Sequence, residues 1–310
     1  MKNLQDKTRQ GCVRLIKIDR KYNVWTKRIG HSGIKMLTLH GGPGLTHEYL
    51  ECLEEFLPKE EIEFYYYDQL GSGFSDQPKD ESLWTPNRFR DEVEQVRMGL
   101  GLDGFYLYGH SWGGILGIEY ALKHQSHIKA LIISNMTASE ASYEKHLNRL
   151  RRKFPLEARK ILEKHEDLEE YDASEYQDTM HRFFYSQYMC RLDPWPEPLT
   201  RSIRHTNAEV FNIIHGPNEF VATGREKDWD RWNQLRHIMV PTLLLVGRYD
   251  TVSVQDVQKM SKLIPSCCLG ICRNGSHLSM YDDQQAYFNI LLDFIRKVEN
   301  GKFDGKENAR

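Results

Sequence analysis

Leu107-Tyr108-Gly109-His110-Ser111-Trp112-Gly113-Gly114 decides the reading of this chain. The stretch spaces its residues as G-x-S-x-G, at a point where one regular element gives way to another. Upstream, Gly104-Phe105-Tyr106-Leu107-Tyr108 is short, apolar and aromatic, as a buried strand is. Downstream, Ile115, Leu116, Ile118 and Leu122 recur at helical spacing. A serine on so tight a strand-to-helix turn projects its hydroxyl away from the sheet, and Gly109 and Gly113 permit the close backbone approach. Alone, the pattern also fits an ordinary turn with an N-capping serine. The flanks favour the exposed hydroxyl, so the question of function starts from Ser111.

The whole chain allows such a site. Its 310 residues can bury a sizeable core in one large domain or two modest ones. The composition is that of a globular protein, 40% hydrophobic and 28% charged. A formal net charge of −2 gives no electrostatic case for nucleic-acid binding. No apolar run reaches the roughly 18 residues of a membrane span. Met1-Lys2-Asn3-Leu4-Gln5-Asp6 lacks the apolar centre of a signal peptide, so a cytoplasmic location is expected. The six cysteines, Cys12, Cys52, Cys190, Cys267, Cys268 and Cys272, include no C-x-x-C pair and read as reduced, mostly buried thiols. Cys268 and Cys272 fit a strand better than a metal site.

Strand patterns fall at Cys12 to Ile18, Tyr22 to Ile29, Ile34 to Leu39, Ile62 to Tyr67, Gly104 to Tyr108, Ile128 to Ser134, Pro241 to Gly247 and Cys267 to Cys272. Between them lie helical patterns. Thr85-Pro86 opens one whose apolar residues are Phe89, Val93, Val96 and Leu100. Another runs from about Val254 to Leu263, and the last from about Gln284 to Val298. Asp282 and Asp283 are expected to cap that last helix, and the polar tail from Asn300 to be disordered. From about Thr137 to Gln234 the chain is instead charged, helix-leaning and rich in aromatics. The expected architecture is α/β: a mostly parallel eight-stranded sheet with helices on both faces and an inserted helical cap. Residues 1–136 and 237–310 would form the core, and 137–236 the cap. Every glycine-rich segment then lies at the carboxyl end of a strand, where ligands of such sheets gather.

A serine hydroxyl is a weak nucleophile, and needs a histidine to take its proton and a carboxylate to orient that histidine. The G-x-S-x-G turn meets the requirement of a nucleophile elbow as found in the α/β-hydrolase fold, where the chain order is serine, acid, histidine. Asp250 follows the seventh strand in Gly247-Arg248-Tyr249-Asp250, and His277 follows the eighth in Asn274-Gly275-Ser276-His277. Placement singles out His277 among 13 histidines. Acyl transfer also needs donors aimed at the developing oxyanion. These would be the amide of Trp112 and one from His40-Gly41-Gly42-Pro43-Gly44, where Gly42 is favoured because Pro43 has no N–H. His40, Asp68 and Ser72 read as scaffold for these loops.

Taken together, His40-Gly41-Gly42-Pro43-Gly44, Asp68-Gln69-Leu70-Gly71-Ser72-Gly73, Gly109-His110-Ser111-Trp112-Gly113-Gly114, Asp193-Pro194-Trp195-Pro196-Glu197, Gly216-Pro217-Asn218-Glu219-Phe220, Gly247-Arg248-Tyr249-Asp250 and Gly275-Ser276-His277 resemble the proline iminopeptidase family of α/β-hydrolases, peptidase family S33. The resemblance implies a serine aminopeptidase that removes an N-terminal residue, often proline, from short peptides or amino-acid amides. It implies Ser111 as nucleophile, Asp250 as orienting acid, His277 as base, and Glu219 as the cap carboxylate that binds the substrate's free amine. It implies no metal and no organic cofactor, with a monomer or weak homo-oligomer expected. One position departs. Relatives that use two carboxylates for the amine place the second directly after the catalytic aspartate, where this chain has Thr251. That departure keeps a second enzyme reading open: an esterase, lactonase or amidase for non-peptide acyl substrates. A non-catalytic receptor on the same scaffold is disfavoured by the intact Ser111, Asp250 and His277. The cap aromatics Phe183, Phe184, Tyr185, Tyr188, Trp195, Trp229 and Trp232 read mainly as cap core.

Overall fold

The structure, a computed structural model, describes residues 12–308; the N-terminal stretch read above for targeting lies outside them. All eight expected strands form: β1 (Cys12–Ile18), β2 (Tyr22–Ile29), β3 (Ile34–Leu39), β4 (Ile62–Tyr67), β5 (Phe105–His110), β6 (Ile128–Ser134), β7 (Thr242–Gly247) and β8 (Cys267–Cys272). A ninth, β9 (Lys306–Asn308), joins them in one sheet of order β1-β2-β4-β3-β5-β6-β7-β8-β9. Only the β1–β2 and β2–β4 pairs are antiparallel; the others are parallel.

The central strands of the sheet are buried on both faces, and strand alternation assigns each of their side chains to one layer. Phe105 and Leu107 of β5, Leu131 and Ile133 of β6, and Leu244 and Val246 of β7 enter one cluster. Tyr106 and Tyr108, Ala130 and Ile132, and Leu243 and Leu245 enter the other. Helices Pro86–Leu100 and Trp112–His124 cover the first face, and helix Gln284–Glu299 the second. Thr85 caps helix Pro86–Leu100 by accepting the Arg88 N–H, and Phe89, Val93 and Val96 are buried on its inner face. Each such apolar side chain contributes about 1.5–3 kcal/mol.

The expectation of a disordered tail is corrected. The last helix extends to Glu299, and β9 pairs parallel with β8, Cys267 opposite Lys306 and Leu269 opposite Asn308. The outer side of β8 is otherwise a row of unpaired backbone groups, which the returning chain satisfies. The Cys267 N–H is part of this, donating to Gly305 O at 2.8 Å.

Between β6 and β7 the chain is helical: Glu140–Arg151, Leu156–Asp167, Ser174–Met180, a π-helical stretch His181–Met189, Glu197–Arg204 and Ala208–Ile214. This segment is tied to the loops at the strand ends and to helix Trp112–His124. Arg201 pairs with Glu48 at 2.8 Å, the Asn207 N–H donates to Gly44 O at 2.9 Å, and Trp229 Nε1 donates to Glu119 at 2.8 Å. Of the aromatics in this segment, Phe184 and Trp229 are buried, Phe183, Tyr185, Tyr188 and Trp232 pack against their cluster, and Trp195 packs against the other.

Candidate active site

The parallel register lines up the carboxyl ends of five strands. Leu39 lies opposite Gly109, His110 opposite Ser134, Ser134 opposite Leu245, and Gly247 opposite Cys272. The segments that follow, His40 to Gly44, Ser111, Asn135, Asp250 and His277, therefore emerge along one edge.

Ser111 sits at φ 55° and ψ −126°, a conformation that costs an L-residue of order 1–3 kcal/mol. The turn closes with the Gly114 N–H donating to Ser111 O at 2.7 Å. Glycine is required around it. A Cβ on Gly109 would collide with the Gly113 carbonyl, and one on Gly113 with the Leu39 carbonyl. Trp112 opens the helix, so its N–H is one of the amides with no partner inside that helix. In the facing loop, the Gly41 N–H is committed to Tyr49 OH at 2.6 Å and Pro43 carries none, which leaves Gly42 as the glycine amide beside them.

Asp250 and His277 meet as expected: His277 Nδ1–H donates to Asp250 Oδ1 at 2.8 Å, with both side chains buried. Asp250 also accepts from the Val252 N–H at 3.1 Å, the Gly247 N–H at 3.3 Å and Asn135 Nδ2. Burial pushes the Asp250 carboxyl up, but His277 and these donors outweigh it and hold it below the usual carboxylate range. Among the described residues, neither Ser111 Oγ nor His277 Nε2 makes a hydrogen bond. His110, next to Ser111 in the chain, donates its Nε2–H to His277 O at 2.9 Å, and its ring lies 4.9 Å from the His277 ring.

His110 joins the two halves of the site. The Gly41 N–H donates to Tyr49 OH, Tyr49 OH donates to His110 Nδ1 at 3.0 Å, and Nε2–H reaches the His277 carbonyl. One proton per link satisfies this chain only if His110 is neutral. Burial and the neighbouring His277 push its pKa down to about 3, in agreement. His40 behaves as the scaffold residue it was read to be: Nδ1 meets Gly41 O at 2.8 Å, and Nε2 accepts the Gln69 N–H at 3.0 Å. Gln69 in turn takes the indole N–H of Trp112 at 2.9 Å. Asp68 holds its own loop, accepting His47 N–H at 2.9 Å, His47 Nδ1 at 2.8 Å and the Phe74 N–H at 3.0 Å.

The expectation that Asp282 and Asp283 cap the final helix is corrected. Asp283 occupies the cap position, but its carboxylate accepts the Asn274 N–H at 2.9 Å. Asp282 accepts the N–H and hydroxyl of Ser276 and the Arg191 N–H. Both side chains thus fasten the His277 loop by accepting its backbone N–H groups. The cap fastens it too: the His277 N–H donates to Tyr188 O at 2.9 Å and the Leu278 N–H to Met189 O at 2.8 Å.

Glu219 is half-buried and accepts Tyr143 OH on Oε2 at 2.8 Å. Nearby, Glu140, His215 and Glu226 are all buried, with ligand-type atoms within 4.8 Å of one another. His215 Nδ1 pairs with Glu226 at 2.7 Å and faces Glu140 at 3.9 Å. Burial alone pushes the imidazole down, but Glu226, with Glu219 and Glu140 behind it, lifts it to about 9. The imidazolium is then the cluster's own cation, so the group reads as a buried ion triad rather than a metal centre. Asn135, His110 and Tyr143 were not singled out from sequence, and Asp282 was read there only as a helix cap. Asn135 had a signal, since it directly follows β6 on the edge shared by the others; Tyr143 lies mid-helix and had none.

Residues 36–284 match the family described as alpha/beta hydrolase fold. A proline iminopeptidase of Flavobacterium johnsoniae is 44% identical over 286 residues, covering 91% of this chain and 96% of that protein. The chain belongs to the proline iminopeptidase family of α/β-hydrolases. Among solved structures, VinJ is 31% identical with a TM-score of 0.88, covering 93% of this chain and 99% of its own. The proline iminopeptidase of Mycobacterium smegmatis superposes with a TM-score of 0.86 at 26% identity, covering 94% of this chain and 99% of its own. The family match spans the strands from β3 to β8 and the helical segment between β6 and β7.

Proposed function

We propose that the protein is a serine aminopeptidase that releases the N-terminal residue, proline or another small or apolar one, from short peptides and amino-acid amides. His277 Nε2 takes the proton of Ser111 Oγ as the oxygen attacks the acyl carbon of the first residue. Asp250 holds the ring and stabilises the imidazolium, and the amides of Gly42 and Trp112 receive the oxyanion. The proton passes to the leaving amine, and water releases the acyl group by the same steps.

The observation that carries this reading is the Asp250–His277 pair at the same strand-end edge as a strained Ser111, with the Glu219 charge acting on the neighbouring His215. A carboxylate facing an ammonium makes a charge-assisted bond and discriminates against substrates without that charge. Segment 137–236 acts as the cap domain over a core of residues 1–136 and 237–310, and brings Glu219 to the reacting carbonyl. Tyr185, whose hydroxyl is pushed up by burial and by the charge of Glu219, and Phe220 would flank the first side chain. A cytoplasmic monomer or weak homo-oligomer fits six cysteines that form no disulfide, four of them buried.

The test compares proline and alanine 4-nitroanilides with their N-acetyl forms. The free-amine forms are expected to be turned over and the blocked forms to lose most of kcat/KM. A preference for the blocked forms would favour the second reading, an esterase, lactonase or amidase for non-peptide acyl groups, whose motive is the uncharged Thr251.

A further inference from the structure

Asp250 and His277 do not face each other alone. Thr251 Oγ1 lies 3.0 Å from His277 Nδ1 and 3.3 Å from Asp250 Oδ1. On its far side it meets Tyr143 OH at 3.2 Å, and Tyr143 OH meets Glu219 Oε2 at 2.8 Å. Thr251 is fully buried and Tyr143 nearly so. Two hydroxyls therefore bridge the carboxylate that would hold the substrate's amine and the imidazole that would take the serine's proton.

Each hydroxyl carries one proton, so the bridge has two complete settings. In one, Tyr143 donates to Glu219 and Thr251 donates to Tyr143, leaving a Thr251 lone pair toward His277 Nδ1–H. In the other, Tyr143 donates to Thr251 and Thr251 donates to Asp250 Oδ1. A bare Glu219 carboxylate favours the first, because a charged acceptor draws the stronger hydrogen bond. An ammonium seated on Glu219 neutralises that pull and favours the second. Thr251 then withdraws negative charge from the acceptors of His277 Nδ1–H. Only two O–H bonds rotate; no covalent bond changes.

We propose that Thr251 and Tyr143 are positioning residues that carry occupancy of the Glu219 amine site to the His277 imidazole. This rests on the reading of Glu219 and His277 given above. It also gives the departure at position 251 a role: the residue after Asp250 supplies a switchable hydroxyl rather than a second charge. An ammonium on Glu219 makes the His277 imidazolium easier to deprotonate, as a donor to the leaving amine should be. Other groups face the pair from each packed element: His110 from β5, His146 from helix Glu140–Arg151 and Cys272 from β8. None of them bridges to Glu219.

The test is an NMR titration of the full chain labelled with 15N-histidine, with and without saturating L-alaninol, an amine that has no acyl group to transfer. In the wild type the amine is expected to lower the His277 midpoint by about one unit, the size that one hydrogen bond to a charged group supports. At least half of that shift should vanish in Thr251→Val and in Tyr143→Phe, and Thr251→Ser should restore it. The signals of His40 and His165, outside the bridge, report that each variant is folded. If one variant fails to fold, the other decides. A full shift in the folded variants overturns the proposal, since the ammonium would then act through space alone. Equal alaninol affinity in wild type and Glu219→Gln would instead refute the amine site, and the bridge with it.

Discussion

At the scale of single residues, the chemistry depends on groups that hold Asp250 and His277 rather than on those two alone. Asn135 is the clearest case. Its amide donates to Asp250 Oδ2 and to Ser276 O at 3.2 Å, tying β6, β7 and the His277 loop together. Asn135→Leu leaves a buried carboxylate oxygen short of a donor. It should cost roughly 1–3 kcal/mol of stability by urea denaturation, and about 10–100-fold in kcat by analogy with lost supporting shells elsewhere. Unchanged kcat would show that Asp250 does not need this support. Ser111, Asp250 and His277 were legible in sequence because each follows a strand, in a fixed order, next to glycines. Tyr143 was not, because its role comes from tertiary proximity to Thr251 and Glu219, which no local pattern encodes. The same is true of Asp282: a carboxylate just before a helix reads as a cap, and only the folded loop shows that Ser276 claims it first.

At the scale of elements, strands and helices followed closely from periodicity, since β3, β4 and β8 and helix Val254–Leu263 begin and end where their apolar runs do. The tail was misread because β9 is three residues long with no apolar pattern of its own; its place is set by the open side of β8. The elbow is the most constrained element. Gly109→Ala and Gly113→Ala each drive a methyl into a backbone carbonyl that cannot move without separating the β5 end from the following helix. Each should destabilise the fold by about 4 kcal/mol or more, the range of severe core substitutions, measured as a fall in urea midpoint. A Gly113→Ala protein as stable as wild type would contradict the close packing of this turn.

At the scale of the whole molecule, the buried triad makes stability depend on pH. The folded pKa of His215, about 9, lies above the usual histidine value of 6.5. Its contribution is therefore fully present below about pH 6.5 and is lost as pH rises through 9. Burial and the charge of Glu226 push Glu140 up to about 8, against the pull of His215. A raised carboxyl likewise favours the folded state at low pH and loses that advantage as pH rises through 8. Both signs agree, and the slope belongs to the cluster as a unit. Urea midpoints should fall between pH 7 and 9, and Glu140→Gln should flatten that fall, being less harmful at pH 9 than at pH 6. An identical slope in the variant would refute the assignment. On the acid side the sign reverses: Asp250, held low, stabilises above the usual carboxylate range and loses that as pH falls through its folded pKa. What joins these scales is a single claim, that Ser111 is an alcohol activated by His277. Mass-spectrometric mapping of a fluorophosphonate adduct tests it directly. The adduct should form on Ser111 and slow at least 100-fold in His277→Ala, within the range removal of a general base produces. A wild-type protein left unlabelled, or labelled at another residue, would contradict it.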